Sequence, residues 1–125
     1  MKEKYSWVST FGFALNGIWQ TVKKERNIKV HLLVALTVLV LGFIFGVNKN
    51  EWLALILIIC LILMAEIFNS AIEEICDLLK EKLHLDYQVT SNIRDVSAGA
   101  VLVLAIGSII LGFIIFLPYM YHWFK

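Results

Sequence analysis

The sequence holds a single proline, two cysteines and few charges, only 17% of 125 residues. With Pro118 alone, almost nothing interrupts a helical pattern along the chain. Cys60 and Cys76 are too few for a disulfide framework, and their spacing makes no zinc site. Both are expected to be small buried apolar residues. There is no internal repeat, no low-complexity segment and no linker marking a second domain. One domain is therefore expected over residues 1–125. The net charge of +1 selects no class of partner, and no nucleic-acid partner is expected.

What the chain has instead is hydrophobic residues, 60% of the total, gathered in long blocks. Blocks of this kind indicate an all-α integral membrane protein. Three spans are expected. The first is residues 30–47, VHLLVALTVLVLGFIFGV. The second starts at Trp52, is apolar through Ala65, and belongs to a helix over residues 52–80 with a cytoplasmic extension. The third is residues 96–117, VSAGAVLVLAIGSIILGFIIFL, closed by Pro118. A span needs about 20 residues to cross the hydrocarbon core. No small-residue cleavage site follows the first block, so the spans are expected to be retained.

Orientation follows from the cations. Lys2, Lys4, Lys23, Lys24, Arg26 and Lys29 precede the first span. Lys80, Lys82 and Arg94 lie in the connection at 78–95, whereas the first loop carries only Lys49. The positive-inside rule places the N-terminus and the 78–95 connection in the cytoplasm. Trp52, Tyr119, Tyr121 and Trp123 then stand where outer aromatic anchors belong.

Before the first span, residues 5–24 read as an amphipathic surface helix. Trp7, Phe11, Leu15, Ile18 and Val22 recur at three- and four-residue spacings, opposite Ser9, Asn16, Gln20 and Lys23. Gly12 and Gly17 weaken that helix or mark a close backbone approach. Gly42 and Gly46 form a GxxxG pair, and Ala98, Ala105, Ser108 and Gly112 share one face of the third span. Such faces allow close helix packing, either within the chain or in a homo-oligomer.

The unusual stretch is AEIFNSAIEEICD at residues 65–77. On one helix Glu66, Asn69, Ser70, Glu73 and Asp77 fall within roughly a 100° arc. Counted inward from Trp52, Glu66 lies roughly 21 Å deep and Glu73 roughly 31 Å. A charged carboxylate in the core costs about 2.5–3.5 kcal/mol, so this stripe needs protons, basic partners or a metal ion. The span offers no lysine or arginine. Clustered carboxylate oxygens suit a hard divalent cation. If the first helix continues outward, Glu25 reaches nearly the depth of Glu73, amid the cations of KKERNIKVH. Two metal-binding carboxylates, nearby cations and a deeper Glu66 acting as base would suit phosphoryl transfer to a lipid hydroxyl. A proton or ion pathway, or a polar seam between helices, fits the spacing as well.

Here the motifs become specific. AEIFNSAIEEICD resembles the E-x-x-N-S/T-x-I-E-x-x-x-D signature of the prokaryotic diacylglycerol kinase and undecaprenol kinase family. RDVSAGAVLV at 94–103 and KKERNIKVH at 23–31 resemble further blocks of that family, in the same order, so the likeness covers essentially the whole chain. The resemblance implies a bacterial plasma-membrane lipid kinase with a surface helix and three spans, working as a homotrimer with sites between chains. It implies ATP and Mg2+. By motif position, Glu66 resembles the catalytic base and Glu25 and Glu73 the metal-binding pair. Gly17, Glu25, Asn69, Glu73, Asp77, Arg94 and Asp95 match the nucleotide site, and Glu66 and Ser70 the lipid-substrate site. Arg94 departs from the usual lysine, replacing a flexible ammonium with a planar fork. The family has no P-loop and no protein-kinase catalytic loop, and neither occurs in this sequence. NIKVH looks like the Gram-positive branch and points to undecaprenol as acceptor. Diacylglycerol is the alternative, and a small proton-coupled transporter the more distant one.

Of the remaining residues, His31 reads first as an interface residue and second as a modulator of phosphate binding. His84 and His122 suggest no ligand set. Lys80 and Lys82 read as solvated interfacial cations.

Overall fold

A computed structural model describes residues 5–125. Lys2 and Lys4, counted above toward the basic N-terminal segment, lie outside them. The described residues form four helices and no strand: α1 (Trp7–Lys24), α2 (Arg26–Phe45), α3 (Lys49–Leu83) and α4 (Tyr87–Trp123). α2, α3 and α4 are each long and apolar enough to cross a membrane. α3 is central. It packs most extensively on α4 and next on α2, while α1 touches α2 and α3 lightly.

The buried residues of α2 and α3 follow a simple sequence rule. The buried residues of α2 are Ile28, Ala35 and Gly42, each seven positions from the next. Those of α3 include Leu55, Ile62, Asn69 and Cys76, with the same step. A seven-residue repeat keeps nearly the same face of a helix turned inward along its length. Asn69 therefore occupies a position in a row otherwise held by apolar side chains. Cys76 is buried as expected, but Cys60 lies off this row and is exposed. An apolar side chain facing lipid needs no protein cover.

The end of the array near residues 42–52 is closely built. Gly46 ends α2 in the left-handed region, φ 64° and ψ 47°. The Val47 N–H then returns to the Gly42 carbonyl at 3.1 Å. The expected first span to residue 47 thus overruns the helix, because Gly46 turns the chain. A Cβ added at Gly42 would lie 2.7 Å from Trp52 Cη2. Both glycines of the GxxxG pair are consumed inside the chain, one by packing and one by the turn. Asn48 then caps α3: its Oδ1 accepts from the Glu51 N–H at 3.0 Å, and Glu51 Oε2 accepts from the Asn48 N–H at 2.9 Å. Tyr119 donates its hydroxyl proton to that same Glu51 oxygen at 2.6 Å, joining α4 to α3. Val47, Leu55, Ile115 and Phe116 form the buried cluster beneath.

Three further expectations change. Pro118 sits inside α4 rather than closing it, and the helix runs to Trp123. Apolar helices tolerate proline when neighbours hold the next turn; here the Tyr119–Glu51 bond and the edge contact of Phe45 with Trp123, 5.2 Å between centroids, do so. The 78–95 connection is mostly helical, reduced to residues 84–86 between α3 and α4. His84 makes the turn at φ 51°. Finally, α2 does not continue outward to Glu25. That residue is extended, φ −95° and ψ 122°, at the corner between α1 and α2.

Candidate active site

The polar stripe of α3 is shared among three neighbours rather than facing one. Glu66, its deepest carboxylate, is 3% exposed and meets α2: His31 Nε2 lies 3.1 Å from Glu66 Oε1. The basic partner absent from the second span is thus supplied by the first, by a residue first read as an interface histidine. His31 was visible in sequence, but the 35 positions separating it from Glu66 hid the pairing.

Below Glu66, Asn69 donates through Nδ2 to Glu73 Oε1 at 3.2 Å. Asn69 Oδ1 is buried and has no hydrogen-bond partner. A buried oxygen acceptor left open beside a carboxylate is costly unless something fills it. The donors here are all oxygen, the chemistry a hard divalent cation takes. No group of three or more His, Cys, Asp or Glu side chains is gathered for a metal among the described residues.

Farther along, Asp77 meets α4. Its Oδ1 accepts from Arg94 at 2.8 Å. Arg94 Nε also donates to Thr90 Oγ1 at 3.3 Å, and the guanidinium lies 5.1 Å from the Tyr87 ring centroid. Arg94 precedes the apolar run of α4. The Asp77 hydrogen bond, helped by that residue's charge, raises its pKa above the usual arginine value. Asp95, next in sequence, is exposed.

The remaining residues face α1. Gly17, Gln20, Thr21, Lys24 and Glu25 line a cavity of about 530 Å³ with Ser70 and Glu74 of α3. Ser70 is thus turned toward Glu25, and the stripe divides around it. Glu73 is not among the residues lining this cavity. Gly17 meets no close neighbour, since a Cβ built there finds nothing within 4 Å.

A second, apolar cavity of about 560 Å³ runs between α2, α3 and α4. It begins at His31 and passes Ala35, Ile62 and Ser108 to Phe45 and Phe124 at the far end. His31 therefore links the two, lining the end of a long apolar groove and pairing with Glu66 in the polar half of α3. A groove of this shape can take a hydrocarbon chain, and its polar end can take an alcohol.

These features define a helical membrane protein with an acidic site at one end of its spans. The family model for prokaryotic diacylglycerol kinase matches residues 12–116, and the chain belongs to that family. An undecaprenol kinase of Bacillus subtilis is 38% identical over 109 residues, 87% of this chain and 86% of that protein. A diacylglycerol kinase of Synechocystis sp. is 27% identical over 109 residues, which cover 87% of this chain but 61% of that longer protein. No solved structure matches the chain significantly.

Proposed function

We propose that the protein transfers the γ-phosphoryl group of ATP to the hydroxyl of a membrane lipid alcohol, undecaprenol, giving undecaprenyl phosphate and ADP. The observation that carries this reading is the buried Glu66 carboxylate paired with His31, which lines the end of an apolar groove. The similarity to the Bacillus undecaprenol kinase favours the polyprenol. Diacylglycerol is the second reading, favoured by the family description and the Synechocystis relative.

In the proposed reaction the lipid lies along the groove with its hydroxyl at Glu66. The carboxylate accepts the hydroxyl proton as the alcohol oxygen bonds to the γ-phosphorus. The bond from that phosphorus to the β–γ bridging oxygen breaks, and ADP leaves with the electron pair. Glu25 and Glu73 would hold Mg2+, which when bound offsets charge on the phosphates. The open Asn69 Oδ1 supports an oxygen-coordinated or hydrogen-bonding ligand at that level. Asn69, Asp77, Arg94, Asp95 and Gly17 belong to the nucleotide side of the reading, and Ser70 to the lipid side.

Within one chain Glu25 faces Glu74 and Ser70, while Glu73 holds Asn69. A homotrimer with sites between chains would let residues of neighbouring copies complete each set. α1 leaves Trp7, Phe11, Leu15 and Ile18 exposed, which suits a helix lying on the membrane surface. The cation distribution supports a cytoplasmic N-terminus, with the acidic site on the same face of a bacterial plasma membrane.

The test is phosphate transfer from Mg-ATP by purified protein, with undecaprenol or diacylglycerol as acceptor and Glu66→Gln as the blank. Transfer to undecaprenol that Glu66→Gln abolishes supports the reading. Transfer to diacylglycerol alone replaces the acceptor. Full turnover by Glu66→Gln removes Glu66 as the base.

A further inference from the structure

We infer that His31 is a positioning residue for Glu66, an inference that rests on the proposed role of Glu66 as base. Two independent features of the structure meet at this side chain. First, His31 Nε2 is 3.1 Å from Glu66 Oε1, and no other hydrogen bond or ion pair reaches the Glu66 carboxylate from the described residues. Second, His31 lines the polar end of the apolar groove, with its side chain still 23% exposed, whereas that of Glu66 is 4% exposed.

A buried carboxylate with rotatable side-chain bonds has no fixed aim by itself. One N–H donated to one oxygen fixes the plane and leaves the second oxygen for a substrate proton. Either protonation state of the imidazole can supply that donor at Nε2, so the role does not depend on charge. The arrangement has the logic of a base oriented by a third group. It also places the orienting group on α2 and the base on α3, so the relative setting of two spans controls the aim of the carboxylate. Misplacing a base by a fraction of an ångström to an ångström is enough to cost about 10- to 100-fold in rate.

The experiment compares His31→Leu with His31→Gln in the full-length protein reconstituted in lipid. Leu removes the donor; Gln returns an N–H at a similar reach. The expected result for His31→Leu is a fall in kcat of about 10- to 100-fold with KM for Mg-ATP unchanged. His31→Gln should recover most of that loss. In a Glu66→Gln background, His31→Leu should cost nothing further, because the carboxylate it aims is gone. A fall in His31→Leu that His31→Gln does not recover, or one that persists in the Glu66→Gln background, overturns the inference. So does unchanged kcat in His31→Leu.

A second readout needs no turnover. The 15N shifts of the His31 imidazole should change in Glu66→Gln, while those of His84 and His122 stay fixed. Unchanged His31 shifts overturn the contact itself. Failure of the wider reading is distinguishable, since it shows as full activity in Glu66→Gln alone, whatever the imidazole reports.

Discussion

The two ends of the spans are built on opposite plans. At the end holding residues 42–52 and 111–123, the polar groups that join the helices are matched within the chain. Asn48 and Glu51 cap α3 reciprocally, Tyr119 adds its hydroxyl, and Gly42 admits the Trp52 ring. At the other end, one carboxylate is paired with a histidine, one buried amide oxygen is open, and Glu25 faces a cavity. The first end spends its residues on fixing helix geometry. The second leaves polar groups pointed at space. The open polar groups stand where the proposed nucleotide or a neighbouring chain would fit.

That contrast yields predictions of different kinds for the two ends. The largest effect belongs to the open end. Glu66→Gln should lower kcat by about 100- to 10,000-fold, the range of general-base contributions, with the fold retained; phosphate transfer and circular dichroism measured together check this. Next is Asn69→Leu, which keeps the volume but removes the open oxygen and the bond to Glu73. It should raise KM for Mg-ATP by about tenfold or more and leave thermal stability equal or higher, because a buried unsatisfied group is removed. A fall in stability with unchanged KM would make Asn69 a structural seam residue instead.

The closed end should answer in stability and not in kinetics. Gly42→Leu forces a side chain against the Trp52 ring and should cost about 1–3 kcal/mol, read as a lowered denaturation midpoint with KM values unchanged. Tyr119→Phe deletes the hydrogen bond to Glu51 and should lower the denaturation midpoint by less than Gly42→Leu does, with KM values unchanged. The smallest stability effect returns to the open end. Asp77 is largely exposed, so Arg94→Lys should shift the denaturation midpoint least of all. Any kinetic change in that variant would then report on nucleotide and not on folding.

Sequence made the spans legible because the apolar runs are long, and lipid imposes length and composition directly. The buried rows are legible as well once the step of seven from Ile28 to Ala35 to Gly42 is set beside that from Leu55 to Cys76. Asn48-x-x-Glu51 also carries a local signature of the start of α3. The corner at Glu25 was not legible, because no glycine or proline marks it. The break comes from the way α1 and α2 must meet, a tertiary demand. Pro118 misled for the converse reason: a local breaker is overridden by packing around Tyr119 and Trp123. The acidic motif marked the candidate residues but not whom they face. Glu66 finds His31, Asn69 finds Glu73, Asp77 finds Arg94, and Ser70 turns toward Glu25. A helical projection places these residues on one arc and cannot show that three different helices divide it.

The most direct test of the account is transfer of labelled γ-phosphate from Mg-ATP to undecaprenol by the reconstituted protein, with wild type and Glu66→Gln side by side. The account predicts labelled undecaprenyl phosphate from the wild type and a loss of at least about 100-fold in the variant. Equal turnover by the two proteins would contradict it, because the buried carboxylate paired with His31 would then have no part in the chemistry.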